Sequence, residues 1–189
     1  MLDFFTPVTE SQSYNNFSMQ EKTPVAKINL RGNLENKEFV SKVGKILGMI
    51  LPNEACSTSN KEKITSLWLG PNEWLLVSNN EIPRESNTYE LEQILFDNIS
   101  KTNLGAITNV TDHFTIFKLS GSNIFEVLSK GFTFDFSSDN FGDNKVVQTI
   151  LNHVDVTIHR RSKSDVDLYV RRSFAGYLWD WLKDSAKLI

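Results

Sequence analysis

The sequence predicts an α+β fold built from two fused βαββαβ-like halves with mostly antiparallel sheets. Three observations carry this expectation. Short runs that alternate apolar and polar residues recur along the chain, each bounded by turn residues, as half-buried strands require. Between them lie segments whose apolar residues repeat at helical spacing. The order of strands and helices is similar in the two halves, although no sequence repeat is visible, which favours helices laid over antiparallel sheets.

The elements follow in chain order. Residues 1–23 read as a flexible or partner-docked N-terminal arm, because residues 6–23 are rich in Ser, Asn and Gln. The first half spans 24–112. Val25 to Leu30 alternates as a strand, and Asn36 is placed to cap a helix carrying Phe39, Val43, Ile46, Leu47 and Ile50. Pro52 is expected to end that helix. Residues 53–63 read as a polar loop. Leu67-Trp68-Leu69 and Trp74-Leu75-Leu76-Val77 flank Gly70-Pro71-Asn72-Glu73, a hairpin. Residues 79–88 read as another polar loop, Leu91 to Phe96 as a second helix, and Ala106 to Val110 as a strand.

The second half, 113–189, is expected to pack with the first as one compact unit. Phe114 to Leu119 is a strand, and Gly121-Ser122 opens a helix that Gly131 closes in the left-handed conformation. Strands are expected over Val146 to Leu151, Val154 to Ile158 and Asp167 to Val170. Ser173 is placed to cap a last helix with Phe174, Tyr177, Leu178, Trp181 and Leu182 at core spacing.

Composition narrows the chemistry. The chain has 189 residues, with 20 basic against 23 acidic side chains and a net charge of −3. That balance argues against nucleic-acid binding, which needs a cationic surplus. No apolar run approaches the roughly 20 residues of a membrane span. A single cysteine cannot close a disulfide within the chain. With no secretory signal in the N-terminal residues, it suits a reducing cytoplasm.

The search for catalytic groups finds little. Cys56 lies in a polar stretch without a neighbouring base and reads as an inert thiol. The glycines are scattered singly, so no phosphate-cradling loop is present. His113, His153 and His159 match no metal-ligand spacing, although His153 and Asp155 are expected on one face of a strand. Lys130 to Phe136 partly resembles an RNA-binding aromatic strand, but Asp135 occupies an aliphatic position. It reads better as a buried aromatic segment. No catalytic residue and no metal ligand is assigned.

Two features point to partners. Arg160, Arg161, Lys163, Arg171 and Arg172 cluster around the last predicted hairpin of an acidic chain, and arginine is favoured at interfaces. Trp179 and Trp181 are two positions apart, so they do not share a narrow helical stripe. Arg160, Arg161, Arg171, Arg172 and Trp179 are therefore the candidate interface residues.

Several segments together resemble the gamma subunit of heterotetrameric sarcosine oxidase. Leu69-Gly70-Pro71-Asn72-Glu73-Trp74-Leu75-Leu76 is similar to that family's Leu-Gly-Pro-Asp-Glu-Trp-Leu-Leu hairpin. Val110-Thr111-Asp112-His113, Leu119-Ser120-Gly121, Val127 to Gly131, Asp135-Phe136 and Gln148 to Leu151 follow in the family's order. So does the segment from Val170-Arg171-Arg172-Ser173-Phe174-Ala175 to Trp181-Leu182. The resemblance implies a fold like the folate-binding aminomethyltransferase of glycine cleavage. It also implies a role as accessory subunit in a complex that demethylates sarcosine to glycine, releases hydrogen peroxide and passes the one-carbon unit to tetrahydrofolate. The partners would be alpha, beta and delta subunits. FAD, FMN and NAD would reside in the complex, held by the larger chains, and none is expected in this chain alone.

Departures from the relatives matter as much. Phe132 stands where many gamma subunits carry cysteine. The aminomethyltransferase relatives begin a strand near the folate with paired aspartates, and Val154 and Asp155 align there. Asp155 is thus the one candidate folate contact, by analogy. Two other readings stay open: a free-standing folate-binding one-carbon transfer protein using Asp155, and an adaptor with no link to folate.

Overall fold

A computed structural model of the chain describes residues 6–81, 90–136 and 141–189. It is an α+β structure in which every strand pairing is antiparallel. The chain forms two compact units. Residues Pro24–Thr111 make up one; the other joins residues 6–23 to Asp112–Ile189.

Within the stretch read as a loose arm, two segments are strands. β1 (Ser11–Tyr14) and β2 (Phe17–Glu21) form a hairpin, and β2 pairs with a strand of the second half, Ser18 opposite Ser120 and Glu21 opposite Phe117. Phe17 and Met19 point into the core and are buried. The arm's polar composition hid these two residues, whose burial offsets the entropy of ordering the segment.

The first unit holds β3 (Val25–Gly32), α1 (Lys37–Leu47), β4 (Thr58–Lys61), β5 (Ile64–Gly70), β6 (Glu73–Glu81), α2 (Glu90–Leu95) and β7 (Gly105–Asn109). Its five strands run in the order β4-β5-β6-β3-β7. Asn36 caps α1 as expected, its side chain accepting from the backbone N–H groups of Glu38 (2.9 Å) and Phe39 (3.2 Å). The helix stops before Pro52, because Gly48 takes a φ of 66° and its N–H bonds back to Gly44. The Pro52 carbonyl instead accepts the Trp74 indole N–H at 2.8 Å. Strand β4 lies inside the stretch read as loop, and β6 runs past Val77 into the next one. The remainder of that second loop, 82–88, is outside the described residues. The segment beyond α2 continues as a π-helical turn, Phe96–Ser100. The core of this unit gathers Phe39, Val43 and Leu47 of α1 against Ile28, Leu30, Trp74 and Leu76.

The second unit continues with β8 (Phe114–Ser120), α3 (Ile124–Ser129), β9 (Lys145–Leu151), β10 (Val154–Ser162), β11 (Asp165–Arg171) and α4 (Ala175–Ala186). Its six strands run β1-β2-β8-β11-β10-β9. Val154, Val156 and Ile158 of β10 and Val166, Leu168 and Val170 of β11 face a core that also takes Leu178, Trp179 and Leu182 of α4. Two expected helix ends differ. Gly131 is not left-handed; it is required by close packing, since a Cβ there would stand 2.6 Å from the Trp181 ring and 2.9 Å from Leu151. Ser173 does not cap α4: a 3-10 turn, Arg172–Phe174, leads into the helix, and no side chain caps it. Phe132, Phe134 and Phe136 of the expected aromatic segment cluster with Phe141, with neighbouring ring centroids 5.0–5.8 Å apart, but only Phe136 and Phe141 of the four are buried.

Candidate functional site at the end of the six-stranded sheet

The two-residue turn between β9 and β10 sets the geometry here. Asn152 and His153 both have positive φ, 44° and 70°, as a tight hairpin turn requires. His153 is therefore a turn residue and does not share a strand face with Asp155, contrary to expectation. The turn fixes the register, so Asp155 stands opposite Ile150. On the other side of β10, Val156 pairs with Val170, which puts Asp155 and Arg171 abreast on neighbouring strands. Arg171 in turn stands opposite Phe114 of β8.

Ile150, Asp155, Arg171 and Phe114 thus form one row across four strands. Paired side chains in an antiparallel sheet share a face. Val154, Val156 and Val170 turn to the core, so this row projects from the opposite face. A pocket of about 430 Å³ opens there, lined by these four residues together with His113, Gln148 and Thr157. The His113 ring meets Phe114 edge-on, with centroids 4.5 Å apart. Asp155 and Arg171 are not joined by an ion pair, and neither finds another partner among the described residues.

The sequence-predicted residues are therefore divided. Asp155 and Arg171 come together. Arg172 follows directly and is half-buried, its backbone N–H donating to the His113 carbonyl at 2.9 Å. Arg161 is partly exposed and pairs with Asp167 at 3.4 Å. Two interface candidates are corrected. Arg160 is buried: it donates to the Phe141 carbonyl, lies 3.3 Å from Asp143, and stacks 4.9 Å over the Phe125 ring. Trp179 is 3% exposed, packed in the core with its ring 5.1 Å from Phe117. Both lie on the inner side of their elements and are buried within the chain itself.

Sequence reasoning missed His113 and Gln148 as pocket residues, because only the strand order brings β8 and β9 to the same end. It also missed the pairing of His159 with Asp167, directly opposite on β10 and β11. His159 is buried with neither ring nitrogen bonded among the described residues. Burial, assisted by Arg161 and Lys22, pulls its pKa down to about 4. Among the described residues no group of three or more His, Cys, Asp or Glu is arranged to hold a metal ion, and no helix is long and apolar enough to cross a membrane.

Residues 31–187 match the model of the sarcosine oxidase, gamma subunit family. The chain belongs to that family. The fold agrees with a solved heterotetrameric sarcosine oxidase from Corynebacterium sp. U-96 in complex with pyrrole 2-carboxylate. The TM-score is 0.82 at 22% identity, covering 94% of this chain and 87% of that one. It is also similar to the glycine cleavage system aminomethyltransferase T from Bartonella henselae, with a TM-score of 0.61 at 15% identity over 89% of this chain. This member of the gamma family spans 46% of that longer protein. No curated protein matches the chain by sequence. Val154 is in the core, and Asp155, one residue on, reaches the pocket.

Proposed function

We propose that this chain is the non-catalytic accessory subunit of a heterotetrameric, tetrahydrofolate-linked sarcosine oxidase of the cytoplasm. The complex demethylates sarcosine to glycine, releases hydrogen peroxide and delivers the one-carbon unit to tetrahydrofolate. Its alpha, beta and delta subunits are the partners, and FAD, FMN and NAD reside in the larger chains. The observation that carries this reading is family membership over residues 31–187. The site supports the accessory role: with Val154 turned into the core, a single carboxylate is left, and one group does not divide the work of a proton-transfer pair.

Co-expression with candidate alpha, beta and delta chains tests the reading. The expected result is a complex of four chains that oxidises sarcosine, in which Asp155→Ala leaves activity within about twofold. Failure to assemble would overturn it. The alternative, a free-standing folate-binding one-carbon transfer protein, draws on the fold shared with the aminomethyltransferase. It requires the isolated chain to bind tetrahydrofolate and to lose that binding with Asp155→Ala.

A further inference from the structure

We propose that the pocket at the Asp155–Arg171 end of the six-stranded sheet binds a free α-amino acid with a bulky apolar side chain. This goes beyond the accessory role and does not depend on it. The starting point is the row Ile150, Asp155, Arg171, Phe114, one residue from each of four adjacent strands. Neighbours in such a row have Cβ atoms about 5 Å apart. Asp155 and Arg171 therefore present a carboxylate and a guanidinium side by side in one concavity, neither paired among the described residues.

That arrangement selects its ligand by charge. A simple anion attracted to Arg171 would sit against the Asp155 carboxylate. A simple amine attracted to Asp155 would sit against the Arg171 guanidinium. A group carrying ammonium and carboxylate on one carbon satisfies both, with the guanidinium fork taking the carboxylate. The charges of an α-amino acid lie close enough together to be read by two adjacent strands. Discrimination against either singly charged ligand then comes from repulsion as well as attraction.

The apolar part follows from size and surroundings. A pocket of about 430 Å³ is in the range of small-molecule sites and is larger than a glycine-sized ligand fills. Ile150 and Phe114 flank the charged pair in the same row, and Ile150 is 58% exposed. A β-branched side chain held in solvent beside two charges is available to cover an aliphatic or aromatic side chain.

The test uses the purified chain with L-leucine and L-phenylalanine as probes, read by calorimetry and by backbone amide shifts. N-acetyl-leucine lacks the ammonium, leucinamide lacks the carboxylate, and glycine lacks the side chain. Leucine is expected to bind at least about tenfold more tightly than each of the three. Asp155→Asn should erase the preference over N-acetyl-leucine, and Arg171→Gln the preference over leucinamide. Ile150→Ala should weaken leucine and leave glycine unchanged. All three positions are exposed, so melting temperatures near wild type would show that the variants are folded. Absence of shifts at Ile150, Asp155 and Arg171 would overturn the proposal, as would equal binding of leucine and its blocked derivatives. Either outcome leaves the subunit reading, which assembly tests, where it stands.

Discussion

His159 shows how strongly one residue's surroundings set its chemistry. The neutral imidazole is buried beside Arg161 and Lys22, so the folded chain resists protonation until about pH 4, whereas the unfolded chain takes up the proton near 6.5. The unfolded state therefore binds more protons between those values, and stability falls as pH drops from about 6.5 to 4. At about 1.4 kcal/mol per unit of pKa difference, the loss approaches about 3 kcal/mol. The thermal midpoint should decline over this range, and His159→Gln should flatten the decline. Packing gives a second prediction at this scale. A methyl group at Gly131 would press on the Trp181 ring and Leu151, so Gly131→Ala should destabilise by about 1–3 kcal/mol in denaturant titration. Trp179→Ala, by emptying a core position, should cost about 3–5 kcal/mol. Arg171→Ala, on the exposed end of β11, should leave stability within about 0.5 kcal/mol.

Among the elements, the N-terminal hairpin and α1 show opposite degrees of legibility. The α1 signal was local: Asn36 lies immediately before a helical apolar stripe, and its side chain caps the first turn as the spacing demands. Asn36→Ala should lower stability by about 1 kcal/mol, measured by thermal or urea unfolding. The β1–β2 hairpin carried no such signal, because its sheet neighbour β8 follows about ninety residues later in the chain. Deleting residues 6–23 uncovers the edge of β8 and removes buried Phe17 and Met19. The shortened chain is expected to aggregate or to bind a hydrophobic dye, whereas removal of a loose arm would change neither. The same contrast explains Gly131, whose helix-end position suggested a left-handed cap while Trp181 and Leu151 decide its role by proximity.

At the scale of the whole molecule, the purified chain should show no flavin absorbance, and the co-expressed complex should show it. Each compact unit carries its own sheet, helices and core, and the pocket is built wholly from the second unit. The α+β class, most strands and helices, and the gamma-subunit family were legible in the sequence alone. These rest on periodicity, turn chemistry and short motifs, all of which are set by residues adjacent in the chain. Tertiary structure alone decided that Trp179 and Arg160 are internal, that the polar N-terminal stretch is part of a sheet, and that Asp155 and Arg171 stand side by side. The reason is physical. Which residues share a face follows from local backbone geometry, but which residues stand abreast follows from the register of strands that only folding brings together.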